Sequence, residues 1–214
     1  LTKKKPPTFK KINVMSFSEL YKSSPFGMVS SFFYGTIQSA LFTLLAVYAT
    51  SMNFTILEVS IVTFLLAVSG AVAQFPVGKI SDVYDRRKVI IASTFGAAIF
   101  SLITIFVSGQ MYLPDGLATS KTWFYIFFIL FSFCSLPMFS LILAHTNDYI
   151  TKDKFVAAGA GLQFTFGLGA MSGPFLCSIF MDLVGSNGFF VFLFFFHSLI
   201  CLLYTSPSPR DYGT

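Results

Sequence analysis

Five stretches of twenty or more almost entirely apolar residues constrain this chain more than any other feature. They are Phe26–Thr50, Phe54–Val77, Val89–Ser108, Thr122–Ala144 and Phe155–Met181. A bilayer's hydrocarbon core of ~30 Å needs about 20 such residues in a helix. A sixth stretch begins at Gly188. Glu58 is the one charged residue within the five, in the first turn of its helix, where a carboxylate suits the helix dipole. One stretch alone would also suit the buried helix of a soluble protein, but six in succession predict an all-α integral membrane fold. Composition agrees: 11% of residues are charged and 55% hydrophobic, against about 25% charged in soluble domains. Soluble enzymes, nucleic-acid-binding domains and disordered tails are excluded on that ground.

The basic residues supply orientation. Lys3, Lys4, Lys5, Lys10, Lys11 and Lys22 precede the first span, Lys79, Arg86, Arg87 and Lys88 separate the second and third, and Lys152 and Lys154 separate the fourth and fifth. These are twelve of the 14 Lys and Arg residues. The opposite set of loops holds Lys121 only. The asymmetry places the leader and the even-numbered gaps in the cytoplasm. It explains a net charge of +5 without a nucleic-acid partner: the charges anchor the topology and touch anionic lipid headgroups. Ser51–Asn53 and Asp182–Asn187 read as tight external turns, and Gly109–Lys121 as a longer external loop.

The two ends of the chain read differently from its middle. Residues 1–24 are polar, lysine-rich and broken by Pro6 and Pro7, as a cytoplasmic linker between membrane halves would be. Cys201–Asp211 back-translates, with one codon choice throughout, into the transposase end sequence ligated to DNA in sequencing libraries. Residues 201–214 are therefore expected to be adapter-encoded and are set aside from the fold. The native domain is expected over residues 25–200.

The segment Gln74–Lys88 has the most specific spacing: Gly78, Asp82 four residues on, then Asp85, Arg86, Arg87 and Lys88. An ordinary basic loop would explain the arginines but not the Gly-Asp-Arg register. The segment resembles motif A of the major facilitator superfamily, G-x-x-x-D-x-x-x-R-R/K between paired helices. Leu143-Ala-His-Thr-Asn-Asp148 and Gly167-Leu-Gly-Ala-Met-Ser-Gly-Pro174 further resemble the YcaD-like branch of that superfamily. Phe75 stands where that branch has tryptophan, and Val83 where it has arginine.

The resemblance implies the C-terminal six-helix half of a twelve-helix transporter, built as two inverted three-helix repeats. It implies secondary transport of a small solute by alternating access in a plasma membrane, a bacterial inner membrane in that branch. The implied partners are a small-molecule substrate, the bilayer and an N-terminal six-helix half of the same chain. In this reading Asp82 pairs with Arg86 and faces a helix N-terminus of the other half, as a cytoplasmic latch, and Gly78 lets two helices approach closely. His145, Asn147 and Asp148 are cytoplasmic gate candidates. The first helix of each repeat lines the cavity, which nominates Ser31, Tyr34 and Gln38 on one span and Tyr125, Ser132, Ser135 and Phe139 on the other. The alternative for the serines is a bond to their own backbone or to a neighbouring helix.

Gly167, Gly169 and Gly173 lie in an apolar span with no strand before them, so they read as a small-residue packing face, with Pro174 as a hinge. His197 is expected to be a neutral, structural residue on a phenylalanine-rich, lipid-facing helix. No metal cluster, nucleophile–base pair or phosphate loop is present, and no cofactor or enzymatic activity is expected. The span interiors lack the carboxylate or lysine that ion coupling usually needs. A membrane sensor or scaffold that keeps the fold without transport is the rival reading.

Overall fold

The structure, a computed structural model, describes residues 15–110 and 117–206. Its helices are α1 (Phe17–Ser23), α2 (Pro25–Ser51), α3 (Ile56–Val83), α4 (Arg86–Gln110), α5 (Leu117–Ser135), α6 (Met138–Asn147), α7 (Phe155–Val184) and α8 (Gly188–Thr205), with a 3-10 turn at Lys152–Lys154. Among the described residues six segments are long and apolar enough to cross a membrane. The fourth, Lys121–Asn147, joins α5 and α6 across Leu136-Pro137, where proline withdraws a backbone donor. The protein is a multi-pass integral membrane protein.

Local chemistry sets the helix ends. Thr55 caps α3 in a capping box: its hydroxyl accepts from Glu58 N at 3.3 Å, and Glu58 Oε2 accepts from Thr55 N at 2.7 Å. α3 then runs past Pro76 to Val83. The expected interhelical loop therefore shrinks to Tyr84 and Asp85, and Gly78 and Asp82 lie on a helix. Asp85 Oδ1 accepts from Arg87 N at 2.9 Å and so caps α4. At the opposite end Asn53 turns the chain with φ 59° and Gly185 ends α7 with φ 79°, both left-handed conformations suited to those residues. α4 and α5 each extend into the expected Gly109–Lys121 loop, whose residues 111–116 lie outside the described part. Of the lysine-rich leader, residues 1–14 also lie outside it. Its end forms α1, capped by Ser16, with Leu20 buried and Phe17 packed 5.2 Å from Phe164 of α7.

The helix neighbours exchange under a two-fold swap of the repeats α2–α3–α4 and α5/α6–α7–α8. α2 packs on α7 as α3 packs on α5, α8 packs on α2 as α4 packs on α5, and α4 and α8 pack on each other. Sequence landmarks repeat likewise. Gly70 lies fourteen residues after Ile56, the start of α3, and Gly169 fourteen after Phe155, the start of α7. Each helix carries one interior proline further on, Pro76 and Pro174. A Cβ on Gly70 would sit 2.3 Å from Leu136 Cδ1, and one on Gly169 only 1.9 Å from the Phe32 carbonyl oxygen. Both glycines let the middle helix of one repeat press on the first helix of the other.

Phenylalanine fills the core. Tyr48 stacks 5.1 Å from Phe189 and meets Phe190 edge-on at 5.0 Å, and Phe124 stacks 5.7 Å from Phe128. Such pairs add to apolar burial through their quadrupoles. His197 lies on the covered side of a helix expected to face lipid: it is fully buried, between the Ser135 hydroxyl (2.9 Å) and its own helix's Leu193 carbonyl (2.7 Å). The phenylalanines around it do not mark a lipid face, because in an apolar solvent aromatic residues serve the core equally well.

Candidate functional site

The most connected polar cluster lies at the end of the bundle where α3, α4 and α6 meet. Arg86, in the first turn of α4, points between the other two helices. Its Nη2 donates to Asp82 Oδ1 at 3.3 Å, one helical turn back. Its Nη1 donates to the Asp148 carboxylate just beyond α6 and to the Ala144 carbonyl at 3.0 Å. Ala144 belongs to the last turn of α6, and its carbonyl also accepts from Asp148 N at 3.3 Å, so the guanidinium adds a second donor at a helix end while pairing two carboxylates. The Arg86 side chain is 26% exposed and that of Asp82 72%. Asp82 thus keeps most of its carboxylate surface outward.

A cleft of about 190 Å³ opens beside this cluster, bordered by Gln74, Gly78 and Asp82 of α3 and by Pro137, Ser140 and Ala144. Ser140 Oγ donates to Gln74 Oε1 at 3.2 Å across it. Nothing lies within 4 Å of a Cβ built on Gly78. Among the described residues no helix approaches Gly78 closely.

The remaining predicted residues of this end separate. Arg87 turns away, donating to the Tyr204 and Ser206 carbonyls. Lys88 is exposed on α4 and forms no hydrogen bond or ion pair among the described residues. Of the gate candidates, His145 is buried against Tyr149, with ring centroids 5.1 Å apart. The buried Asn147 Oδ1 meets no donor among the described residues. Asp148 belongs to the Arg86 cluster and does not form a pair with His145.

Two further ion pairs were not foreseen. Lys121 Nζ reaches both carboxylate oxygens of Glu58, at 2.8 and 2.9 Å, and lies 4.9 Å from the Phe54 ring centroid. This joins the first turn of α3 to the second turn of α5. Lys154 donates to Glu19, joining α1 to the start of α7, and this hydrogen bond holds the Glu19 carboxyl below its ordinary value. Neither pair has a local sequence signal, because the partners lie 63 and 135 residues apart.

The substrate-cavity nominees divide sharply. Ser31 donates to the Leu162 carbonyl at 2.8 Å, Tyr34 to the Leu136 carbonyl at 3.0 Å, and Ser132 to the Phe128 carbonyl at 2.7 Å, while Ser135 meets His197. All four are fully buried. Tyr34 serves the helix break at Pro137, supplying a donor where the backbone ladder is interrupted. Gln38, Tyr125 and Phe139 remain half-buried. Phe139 packs on Phe166 with centroids 5.3 Å apart, and Tyr125 on Phe54 at 6.1 Å. The glycines divide as well. Gly169 and Gly173 face the α2 backbone, whereas a Cβ on Gly167 would meet open space. Pro174 lies inside α7 without ending it. Among the described residues no group of three His, Cys, Asp or Glu side chains is placed to hold a metal ion.

Sequence comparison bears on the whole arrangement. The Major Facilitator Superfamily profile matches residues 27–213. The chain is 26% identical over 206 residues to the uncharacterized MFS-type transporter YfkF of Bacillus subtilis (strain 168), covering 92% of this chain and 49% of that protein. It is 24% identical over 172 residues to the MFS-type transporter YE1530 of Yersinia enterocolitica, covering 80% and 41%. It is 26% identical over 161 residues to the MFS-type transporter MJ1560 of Methanocaldococcus jannaschii, covering 75% and 39%. The chain spans about half the length of these relatives. No solved structure gives a significant match.

Proposed function

The chain belongs to the major facilitator superfamily, and from that premise we propose that it forms one six-helix half of a small-solute transporter working by alternating access. The observation that carries this reading is an asymmetry of burial. α3 and α7, the middle helices of the two repeats, are the least covered of the spans, with 28% and 22% of their apolar windows buried. They leave Phe64, Val72 and Phe75 of α3, and Phe164, Met171 and Phe175 of α7, more than half exposed. A second half packed on these faces would also cover the open side of Gly78 and meet the outward carboxylate of Asp82.

In that arrangement Arg86 stiffens the cytoplasmic end by tying α3, α4 and α6 together. Asp82 is then free to engage the positive N-terminal end of a helix across the interface. Breaking and remaking this contact accompanies the rocking of the halves. The solute binds near the midplane between the halves, and Gln38, Tyr125 and Phe139 are the nominees of this half that keep surface for it. Ser31, Tyr34, Ser132 and Ser135 serve packing instead. Arg87, which donates to the Tyr204 and Ser206 carbonyls, braces α4 against the end of α8 beside this latch.

Solute flux through the full-length protein in proteoliposomes tests the reading. Counterflow of a solute, lost on cross-linking the cytoplasmic ends of the halves, is the expected result. Specific solute binding without flux in either direction would favour the sensor or scaffold.

A further inference from the structure

Opposite the proposed interface, a second cavity of about 310 Å³ opens at the same end of the bundle. Its walls are Val77, Ile80 and Tyr84 of α3, Lys88, Val89 and Ala92 of α4, and Phe133 of α5. The lining is mostly carbon, with the Tyr84 phenol and the Lys88 ammonium at one end and the Ser93 hydroxyl and Cys134 thiol also on its border. Val77 borders both the groove and the cleft at Gly78, and from it Ile80 and Tyr84 carry the groove to the side of α3 about 160° away from Gly78 and Asp82. The groove therefore opens away from the cleft at Gly78. Docking of a second half on that cleft leaves it facing the bilayer.

We propose that this groove holds one acyl chain of an anionic phospholipid of the cytoplasmic leaflet, with the lipid phosphate on Lys88. Charge complementarity selects the occupant. Arg86 is committed to Asp82 and Asp148, whereas Lys88 forms no ion pair or hydrogen bond among the described residues. It stands at the α3–α4 turn, the level at which a span leaves the hydrocarbon. An apolar slot continues from it toward the bilayer centre. Ser93, which also borders the slot, lies five residues along α4, or about 7.5 Å. The slot therefore takes the glycerol-proximal part of one chain, and the rest of the lipid stays in the surrounding layer. A tail beneath a fixed cation matches an amphiphile with an anionic head, and a soluble anion would leave the carbon walls unused.

The test uses full-length protein in phosphatidylcholine nanodiscs doped with phosphatidylglycerol bearing a photoactivatable acyl chain. Labelled sites are mapped by peptide mass spectrometry. Labelling is expected on the α3–α4 walls between Val77 and Ser93. Lys88→Gln should reduce it about fivefold, the effect of one basic residue at an anionic surface. Ala92→Phe, which fills the slot at an exposed position, should abolish it. Lys152→Gln, a basic residue of the same end outside the groove, should leave it unchanged. Equal labelling by the phosphatidylcholine analogue, or labelling indifferent to both Lys88→Gln and Ala92→Phe, would overturn the proposal. So would disulfide cross-linking of two copies through Ala92→Cys with no lipid label, which would make a second copy the occupant. The readout needs no transport, so it stands or falls separately from the proposed function.

Discussion

Ser135 and His197 meet 2.9 Å apart in the buried centre of the bundle, on α5 and α8. The Leu193 carbonyl, 2.7 Å from Nδ1, can only accept, so Nδ1 carries the proton and Nε2 accepts from the serine hydroxyl. Ser135→Ala leaves Nε2 without a donor in a dry interior. It should lower unfolding free energy by roughly 1–3 kcal/mol. His197→Phe in the Ser135→Ala background should recover part of that loss, since an apolar pair leaves nothing unsatisfied. Thermal unfolding in detergent measures both. A double variant less stable than Ser135→Ala would show that the ring's shape outweighs its hydrogen bonds.

The two glycines of Gly167-x-Gly169 should respond oppositely to alanine. At Gly169 an added methyl meets the Phe32 carbonyl oxygen at 1.9 Å, so α2 and α7 must separate, whereas at Gly167 it meets nothing. Gly169→Ala is expected to cost several kcal/mol or prevent assembly, within the range of about 1–3 kcal/mol or more for overpacking. Gly167→Ala should be neutral or stabilising by up to about 1 kcal/mol through helix propensity. Melting temperatures of the two variants decide it, and equal losses would contradict the packing described.

These glycines show how much was legible in the sequence. The spans and their order follow from hydropathy, which acts within a segment, whereas the break at Pro137 fell inside Thr122–Ala144, read as one continuous span. A Gly-x-x-x-Gly face is likewise local, so Gly169 and Gly173 were identifiable as a packing face. Which hydroxyl lines a cavity is not local. Ser31, Tyr34 and Ser135 share faces with Gln38 and Tyr125 by spacing, but each is taken up by a carbonyl or ring on another helix. Asp148 stands three residues after His145 in sequence, and its partner proved to be Arg86, 62 residues away. The motif's loop was misplaced for another reason: the apolar run ends at Val77, but the helix itself passes Pro76 unbroken and continues to Val83.

Acidification should release α1. Lys154 hydrogen-bonds Glu19 and lowers its folded-state pKa below the ordinary value of 4.5. A depressed carboxylate contributes its stabilisation in full above that value and loses it as pH falls through the lowered one. Spin labels on Tyr21→Cys and Val156→Cys, both exposed positions, report the docking of α1 on α7. Their distance distribution should be narrow at neutral pH and broaden once pH falls below 4.5. With Glu19→Gln it should be insensitive to pH. A distribution unchanged by acid in the unaltered protein would assign the docking to Phe17 and Leu20 alone.

Asp82 and Arg86 share an ion pair but should fail in different ways when replaced. Asp82 is largely exposed and touches Arg86 at 3.3 Å, and an exposed pair is worth about 0.2–1 kcal/mol. Asp82→Asn should therefore leave stability nearly intact. If its free side meets a helix N-terminus in the other half, that contact is worth ~0.3–1 kcal/mol, and up to ~2 when partly buried. About 1.4 kcal/mol is a tenfold change in an equilibrium, so the balance of inward- and outward-open states should move severalfold and transport should slow. Arg86→Ala also removes one of the two donors to the Ala144 carbonyl and the Asp148 ion pair, so it should lower both transport and stability. In the double variant the transport losses should be less than multiplicative, because the two residues serve one contact. Flux and thermal unfolding of the three variants in full-length protein separate these effects. Asp82→Asn with full flux and unchanged cavity accessibility would reduce the residue to part of the topological charge pattern, and Arg86 would then act through α6 alone.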